Sequence, residues 1–234
     1  MDFATPLVEG RFVRRYKRFF VDVALPDGQV VVAHCPNTGT MKTCLEDQAP
    51  VWISPSTNPK RKLKWTWEVS VVGGVAVLVN TALPNRVVRE AIDAGRIPSC
   101  AGYGSVRPEV KYGSQNSRID LLLSQGERPD CYVEVKNATL MLGDGVGAFP
   151  DAVTSRGLKH LEELAEVVAA GHRGLLLFLV PRSDTQRVVP ADDIDPAYGA
   201  ALRRVAAAGV EVEAWRARVT RTDVTITEPV PVVL

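Results

Sequence analysis

The sequence predicts an α/β chain with an all-β N-terminal part: a small OB-fold-like barrel over residues 1–80, followed by a mixed sheet flanked by helices over 81–234. Three observations carry this expectation. The first part is built from short β-branched runs separated by turn residues and shows no helical period of useful length. The second part alternates strand-like runs with segments of 3.6-residue periodicity. Finally, 46% of the 234 residues are hydrophobic, enough for a sizeable core.

In the first part, strands are expected at 10–16, 19–25, 29–34, 51–54, 63–71 and 75–79. Pro26, Asp27 and Gly28 mark a turn, and HCPNTGTMK and SPSTNPKRK read as loops rich in Pro, Asn, Gly, Ser and Thr. In the second part, Asn85 is expected to cap a helix that ends at Gly95, with Val87, Val88, Ala91 and Ile92 on one face. Strands follow at 105–111, 117–123 and 131–136, then a long loop at 138–150 carrying Gly143, Gly145 and Gly147, read as a flap. A helix from 151 or 154 to 170 is expected to bury Leu158, Leu161, Leu164, Ala165 and Val168 and to stop at Gly171. The apolar run 175–180 reads as a buried strand, Asp195 and Pro196 open a helix ending near Gly209, and strands at 210–216 and 224–227 complete the sheet.

Candidate chemistry is concentrated at 109–137. Asp120 interrupts the apolar run of Ile119, Leu121, Leu122 and Leu123, while Glu134 and Lys136 interrupt Tyr132, Val133 and Val135. Charges in such positions are costly without partners. Residues two apart on a strand share a face, so Glu134 and Lys136 point the same way. If Asp120 on the neighbouring strand meets them, two carboxylates and the carbonyl of Val135 can hold Mg²⁺ or Mn²⁺, with Lys136 orienting an attacking water. A structural ion pair is the alternative reading of the same residues.

The net charge of +1 conceals a basic N-terminal part. Arg11, Arg14, Arg15, Lys17 and Arg18, and then Lys60, Arg61, Lys62 and Lys64, are interleaved with Tyr16, Phe19, Phe20, Trp65 and Trp67. Cations between stacking-capable rings predict DNA as partner, bound through phosphates and base faces; solvated charges and core aromatics are the plainer alternative. Arg156, Lys159 and His160, three and four apart, are expected to present one helical face to a phosphate, or to pair with Glu162, Glu163 and Glu166. No basic and apolar leader and no apolar stretch of about 18 residues occurs, so no membrane partner is expected and a cytoplasmic location follows by default. Cys35, Cys44, Cys100 and Cys131 show no CxxC pair, which predicts reduced, buried thiols. A homodimer stays open as an oligomeric state.

The order helix, three strands, helix, strand, with Asp120 followed by Glu134-x-Lys136, resembles the core of the PD-(D/E)xK nuclease superfamily. The strings RYKRF, HCPNTGTM, NPKRKLKWTWE, VNTALPNRVVREA, EVKYG, NSRIDLLL, CYVEVKNATL, FPDAVTSRGLKHLEEL and PADDIDPAYGAAL resemble the sugar fermentation stimulation protein A family, SfsA, across nearly the whole chain. That resemblance implies an OB-fold-like N-terminal domain, a PD-(D/E)xK nuclease-like C-terminal domain and DNA binding without sequence specificity. It implies either a Mg²⁺-dependent deoxyribonuclease or a DNA-binding regulator of sugar (maltose) metabolism that keeps the fold without cleaving. By the same resemblance Glu90, on the helix before the strands, is a secondary catalytic candidate, with pairing to Arg86 or Arg89 as its alternative.

Overall fold

A strand whose alternate residues are apolar must bury one face, and the first strands of this chain do so by closing on themselves. The computed structural model describes residues 1–113 and 117–234. Asn116, which opens the NSRIDLLL string, lies outside the described residues. Strands β1 (Val8–Tyr16), β2 (Phe20–Ala24), β3 (Val30–His34), β4 (Pro50–Pro55), β5 (Trp65–Val72) and β6 (Val75–Leu78) form one sheet in the order β3-β2-β1-β4-β5-β6. A parallel pairing of Ala33 with Trp65 joins β3 to β5 and closes the OB-like barrel. Its interior is Val21, Val23, Ala33, Val51, Ile53, Val77 and Trp67. Trp67 is 0% exposed and its indole donates to the Val69 carbonyl, so this ring is core and offers no stacking face.

The second part begins with α1 (Pro84–Asp93), then β7 (Tyr103–Tyr112), β8 (Ser117–Gly126), β9 (Cys131–Asn137), β10 (Leu140–Gly143) and β11 (Val146–Phe149). It continues with α2 (Ser155–Ala169), β12 (Arg173–Val180), β13 (Arg187–Pro190), α3 (Pro196–Ala207), β14 (Glu211–Val219) and β15 (Val224–Val230). The main sheet runs β15-β14-β12-β9-β8-β7, with β12 parallel to both β9 and β14. Because β12 is covered on both faces, its whole run is apolar: Leu175, Leu177 and Leu179 pack towards α1, and Leu176, Phe178 and Val180 towards α2 and α3.

Two expectations fail here for local reasons. The stretch 138–150 is a β-hairpin, and β11 pairs in parallel with β13 to make a second sheet of β10, β11 and β13. Asp144 and Gly145 both have positive φ, +48° and +73°, the left-handed pair that a two-residue hairpin turn demands, and this outweighs the loop-like glycine content. The glycines therefore build a hairpin whose second strand is paired with β13, where a flap was expected. Asn85 does not cap α1 either: Leu83 is the N-cap, Pro84 the first helical residue, and no side chain caps this end. The Asn85 amide is engaged elsewhere, as described below. The caps of the other two helices hold as read. Thr154 accepts from the Gly157 amide at 3.0 Å, and Asp195 accepts from Tyr198 at 3.0 Å and from the Thr154 amide at 2.8 Å, so one carboxylate ties the starts of α2 and α3 together. Gly157 permits that approach, since a Cβ there would lie 2.7 Å from Thr154 and 3.1 Å from Tyr198.

The barrel and the main sheet share a core. Leu7, Val69 and Leu78 belong to the same buried cluster as Val87 and Val88 of α1 and Leu121, Val133 and Leu177 of the sheet. The chain start is fixed to the far side of this cluster, where the Met1 amino group donates to the Val224 carbonyl at 2.8 Å. The four cysteines are free and buried. Among the described residues no helix is long and apolar enough to cross a membrane. Leu7→Ala should cost about 2–5 kcal/mol and shift a single unfolding transition in urea, read by tryptophan fluorescence and far-UV circular dichroism; a split into separate transitions would contradict the shared core.

Candidate functional site

The site arises where two strands part. β8 and β9 pair only through Leu121–Val133, Leu122–Tyr132 and Leu123–Cys131, and the next pair would have been Asp120 with Glu134. Beyond that point β8 follows β7 as far as Ser117, while β9 follows β12 as far as Asn137. A fork opens at the carboxyl end of β9, and the Val135 amide loses its ladder acceptor. Asp120 replaces it: its Oδ2 accepts from the Val135 amide at 2.7 Å, and its Oδ1 accepts from the Asn85 amide at 2.7 Å. A strand residue's N–H and C=O lie on the same edge, so the Val135 carbonyl also looks into the fork.

Glu134 is 2% exposed and held from one side only. Its Oε1 accepts from Lys136 Nζ at 2.7 Å and makes a close contact with His160 Nδ1. Arg156 Nε donates to His160 Nε2 at 3.4 Å, which leaves the imidazole proton on Nδ1, pointing at Glu134. Glu134 Oε2 is buried and accepts no hydrogen bond from the described residues. An unpaired buried carboxylate oxygen costs roughly 1–3 kcal/mol, and here it lines the same cleft as Asp120 and Val135. Two carboxylates and a carbonyl are hard oxygen donors suited to Mg²⁺ or Mn²⁺, which retain several waters. Among the described residues no group of three or more His, Cys, Asp and Glu side chains is arranged to hold a metal ion, so waters and the backbone would have to complete the shell.

The cleft, about 400 Å³, is lined by residues of this fork and of the barrel, Asn37, Thr38 and Gly39 from the barrel and Lys136 and Arg156 from the second part. Asp151, just before α2, anchors that loop by accepting from Thr40 Oγ1 at 3.2 Å and from the Met41 amide at 3.3 Å.

The structure thus gathers Asp120, Glu134, Val135, Lys136, Arg156 and His160 around one cleft and leaves the other sequence candidates outside it. Glu90 lies five residues, about 140°, around the helix from Asn85, and pairs with the Met1 amino group at 3.2 Å and with Arg86 at 2.7 Å. Lys159 on α2 is half-buried, and His160, expected to face a phosphate, is buried against Glu134. In the barrel, Arg11 donates to the Gln48 carbonyl, Arg14 pairs with Asp22 at 2.6 Å, and Arg15 donates to the Asn37 and Gly39 carbonyls at 2.8 and 3.1 Å. Lys17, Arg18, Lys60, Lys62 and Lys64 are exposed, Arg61 donates to Thr66, and Trp65 is half-buried. Sequence reasoning missed Asn85, the Asn37–Gly39 wall and the clamping role of His160. A histidine on the helix after the Glu-x-Lys strand was the one available signal.

Residues 82–223 match the family described as "Sugar fermentation stimulation protein RE domain", and residues 13–79 match "SfsA N-terminal OB domain". The chain is 54% identical over 234 residues to the sugar fermentation stimulation protein homolog of Geobacter metallireducens, covering 100% of both chains. It is also 54% identical to that of Maricaulis maris, covering 100% of this chain and 99% of the relative. Among solved structures it is similar to that of Pyrococcus furiosus SfsA in complex with Ca²⁺, at 23% identity and a TM-score of 0.88, covering 100% of this chain and 98% of the other.

Burial, and then the charge of Glu134, push the Asp120 carboxyl up to about 6. Burial also works against Glu134, but His160 and Lys136 outweigh it and hold that group below the usual carboxylate range. For Asp120 the folded protein takes up a proton that the unfolded chain, titrating near 4, has already lost. Its stability contribution is therefore highest below pH 4 and falls as pH rises to about 6. Asp120→Asn should raise the urea midpoint of the metal-free protein at pH 7.5, by at most about 3 kcal/mol in stability, with the gain shrinking towards pH 4; a loss of stability at pH 7.5 would contradict this.

Proposed function

Since the chain belongs to the sugar fermentation stimulation protein family, we propose that it is a DNA-associated protein whose barrel contacts the phosphate backbone and whose β8–β9 fork hydrolyses a phosphodiester with Mg²⁺ or Mn²⁺. Glu134 carries the proposal: a buried carboxylate clamped at Oε1 by Lys136 and His160, with Oε2 left bare in a cleft that Asp120 also lines. Asp120, Glu134 Oε2 and the Val135 carbonyl would hold the cation, and the Ca²⁺ in the archaeal relative supports a hard, oxygen-seeking ion. When bound, such an ion supplies Lewis-acid stabilisation of phosphoryl oxygens and a water of lowered pKa.

The chain's own groups do the rest. Lys136, 14% exposed at its side chain, keeps donors for an attacking water while its contact with Glu134 fixes its position, and it offsets charge developing at phosphorus. Arg156 lines the cleft and can hold a non-bridging phosphate oxygen. His160 prevents Glu134 from rotating away. A DNA-binding regulator that does not cleave is the second reading, favoured by the want, among the described residues, of a third metal-ligating side chain.

Supercoiled plasmid, in which negative superhelicity opens unpaired segments, should be nicked by the wild type in Mg²⁺ or Mn²⁺ and not in EDTA, and Lys136→Ala should cut nicking by about 10²-fold or more while keeping DNA affinity within a few-fold. Equal nicking by both proteins would remove Lys136 from the chemistry, and no nicking in any metal would favour the regulator. Neutralising exposed Lys17, Arg18 and Lys62 should weaken binding to unrelated sequences alike and lower the salt slope by about 0.9 for each phosphate that is no longer neutralised; weakening confined to one sequence would point to base readout.

A further inference from the structure

The wall that the barrel sets across the cleft limits what can enter. Hydrogen bonds fix the wall to the second part and to the chain leading into it, among them Thr40 Oγ1 and the Met41 amide to Asp151, the Met141 amide to Thr43 Oγ1 at 3.1 Å, and Thr81 Oγ1 to the Pro36 carbonyl at 2.9 Å. Gly39 closes in so tightly that a Cβ would lie 2.7 Å from Asp151 Oδ2. With Leu7, Val69 and Leu78 inside the core of the main sheet, the two walls are built on one packed core. The space between is about 400 Å³, at the low end for small-molecule pockets and of the order of one nucleotide. Two paired strands, with two bases and two phosphates at every step, exceed that space.

The approach to this wall is equally distinctive. Arg15 links the Asn37 and Gly39 carbonyls to the β1–β2 turn, where Lys17 and Arg18 both take left-handed backbone, φ +48° and +62°, a conformation that costs non-glycine residues energy. That turn exposes Phe19 at 47% and carries Tyr16 stacked on Phe20 with centroids 5.4 Å apart, the Arg14 guanidinium lying 5.0 Å over Tyr16. Rings and cations on one strained turn suit unpaired bases and their phosphates, whereas a duplex keeps its base faces hidden.

Building on the phosphodiester reading above, we propose that the cleft takes a single DNA strand, an unpaired segment or a frayed end, led in over the β1–β2 turn and past the Asn37–Gly39 wall, and that intact duplex is excluded. The test is fluorescence anisotropy in EDTA, which separates binding from cleavage, with labelled oligo-dT and a blunt hairpin duplex of equal phosphate number at one salt concentration. The single strand should bind at least about tenfold tighter. Phe19→Ala should weaken it roughly fivefold or more and leave the duplex little changed. Thr38→Trp, placed at an exposed position of the wall, should weaken the single strand while circular dichroism stays that of the wild type. Equal or tighter duplex binding, or single-strand affinity untouched by Phe19→Ala, overturns the inference and leaves the phosphodiester reading standing. Binding of neither DNA overturns both.

Discussion

The hydrogen bond from the Val135 amide to Asp120 is the constraint on which the site depends. A sheet that kept β8 and β9 paired to their ends would satisfy its backbone and bring Asp120 and Glu134 face to face with no room between them. By leaving the ladder before Asp120 and Glu134 can pair, the strands create a space, and the Asp120 side chain supplies the acceptor that the backbone withdrew. The same carboxylate is thereby fixed at the mouth of the cleft, with Asn85 holding its other oxygen. Strand divergence, polar satisfaction and site geometry are one arrangement.

That arrangement is held at a cost in stability. Asp120 is half-buried next to Glu134, and among the described residues Glu134 Oε2 lacks a donor and both oxygens of Glu163, fully buried on α2, lack partners. Groups of this kind are unfavourable in a folded interior and persist where function uses them or where neighbouring packing outweighs them. The shared core of Leu7, Val69, Leu78, Leu121 and Val133 is the compensating term, and it also joins the barrel to the strands that carry Asp120 and Glu134.

Much of this was legible in the sequence because period and turn chemistry act locally. The barrel strands, the apolar β12 and the Thr154 and Asp195 helix starts follow from alternation and capping, and the shared face of Glu134 and Lys136 follows from the two-residue pleat. What was hidden depended on contacts between distant segments. Asn85 is a sound cap by type, and only the position of Asp120 on another strand gives its amide a better partner. The glycines at 143–147 suggested a loop, although Asp144–Gly145 carried the hairpin signal. The Asn37–Gly39 loop could not be placed against the cleft from sequence because its anchor, Asp151, is more than a hundred residues away.

The central claim is that Glu134 Oε2 and Asp120 face a common cation position in the fork. Anomalous diffraction from crystals soaked in Mn²⁺ tests it most directly. One peak between these two carboxylates, within bonding distance of the Val135 carbonyl and absent from Asp120→Asn crystals, is the predicted result. Manganese bound elsewhere, or a fork that stays without a peak while Lys136 and His160 still hold Glu134, would contradict it.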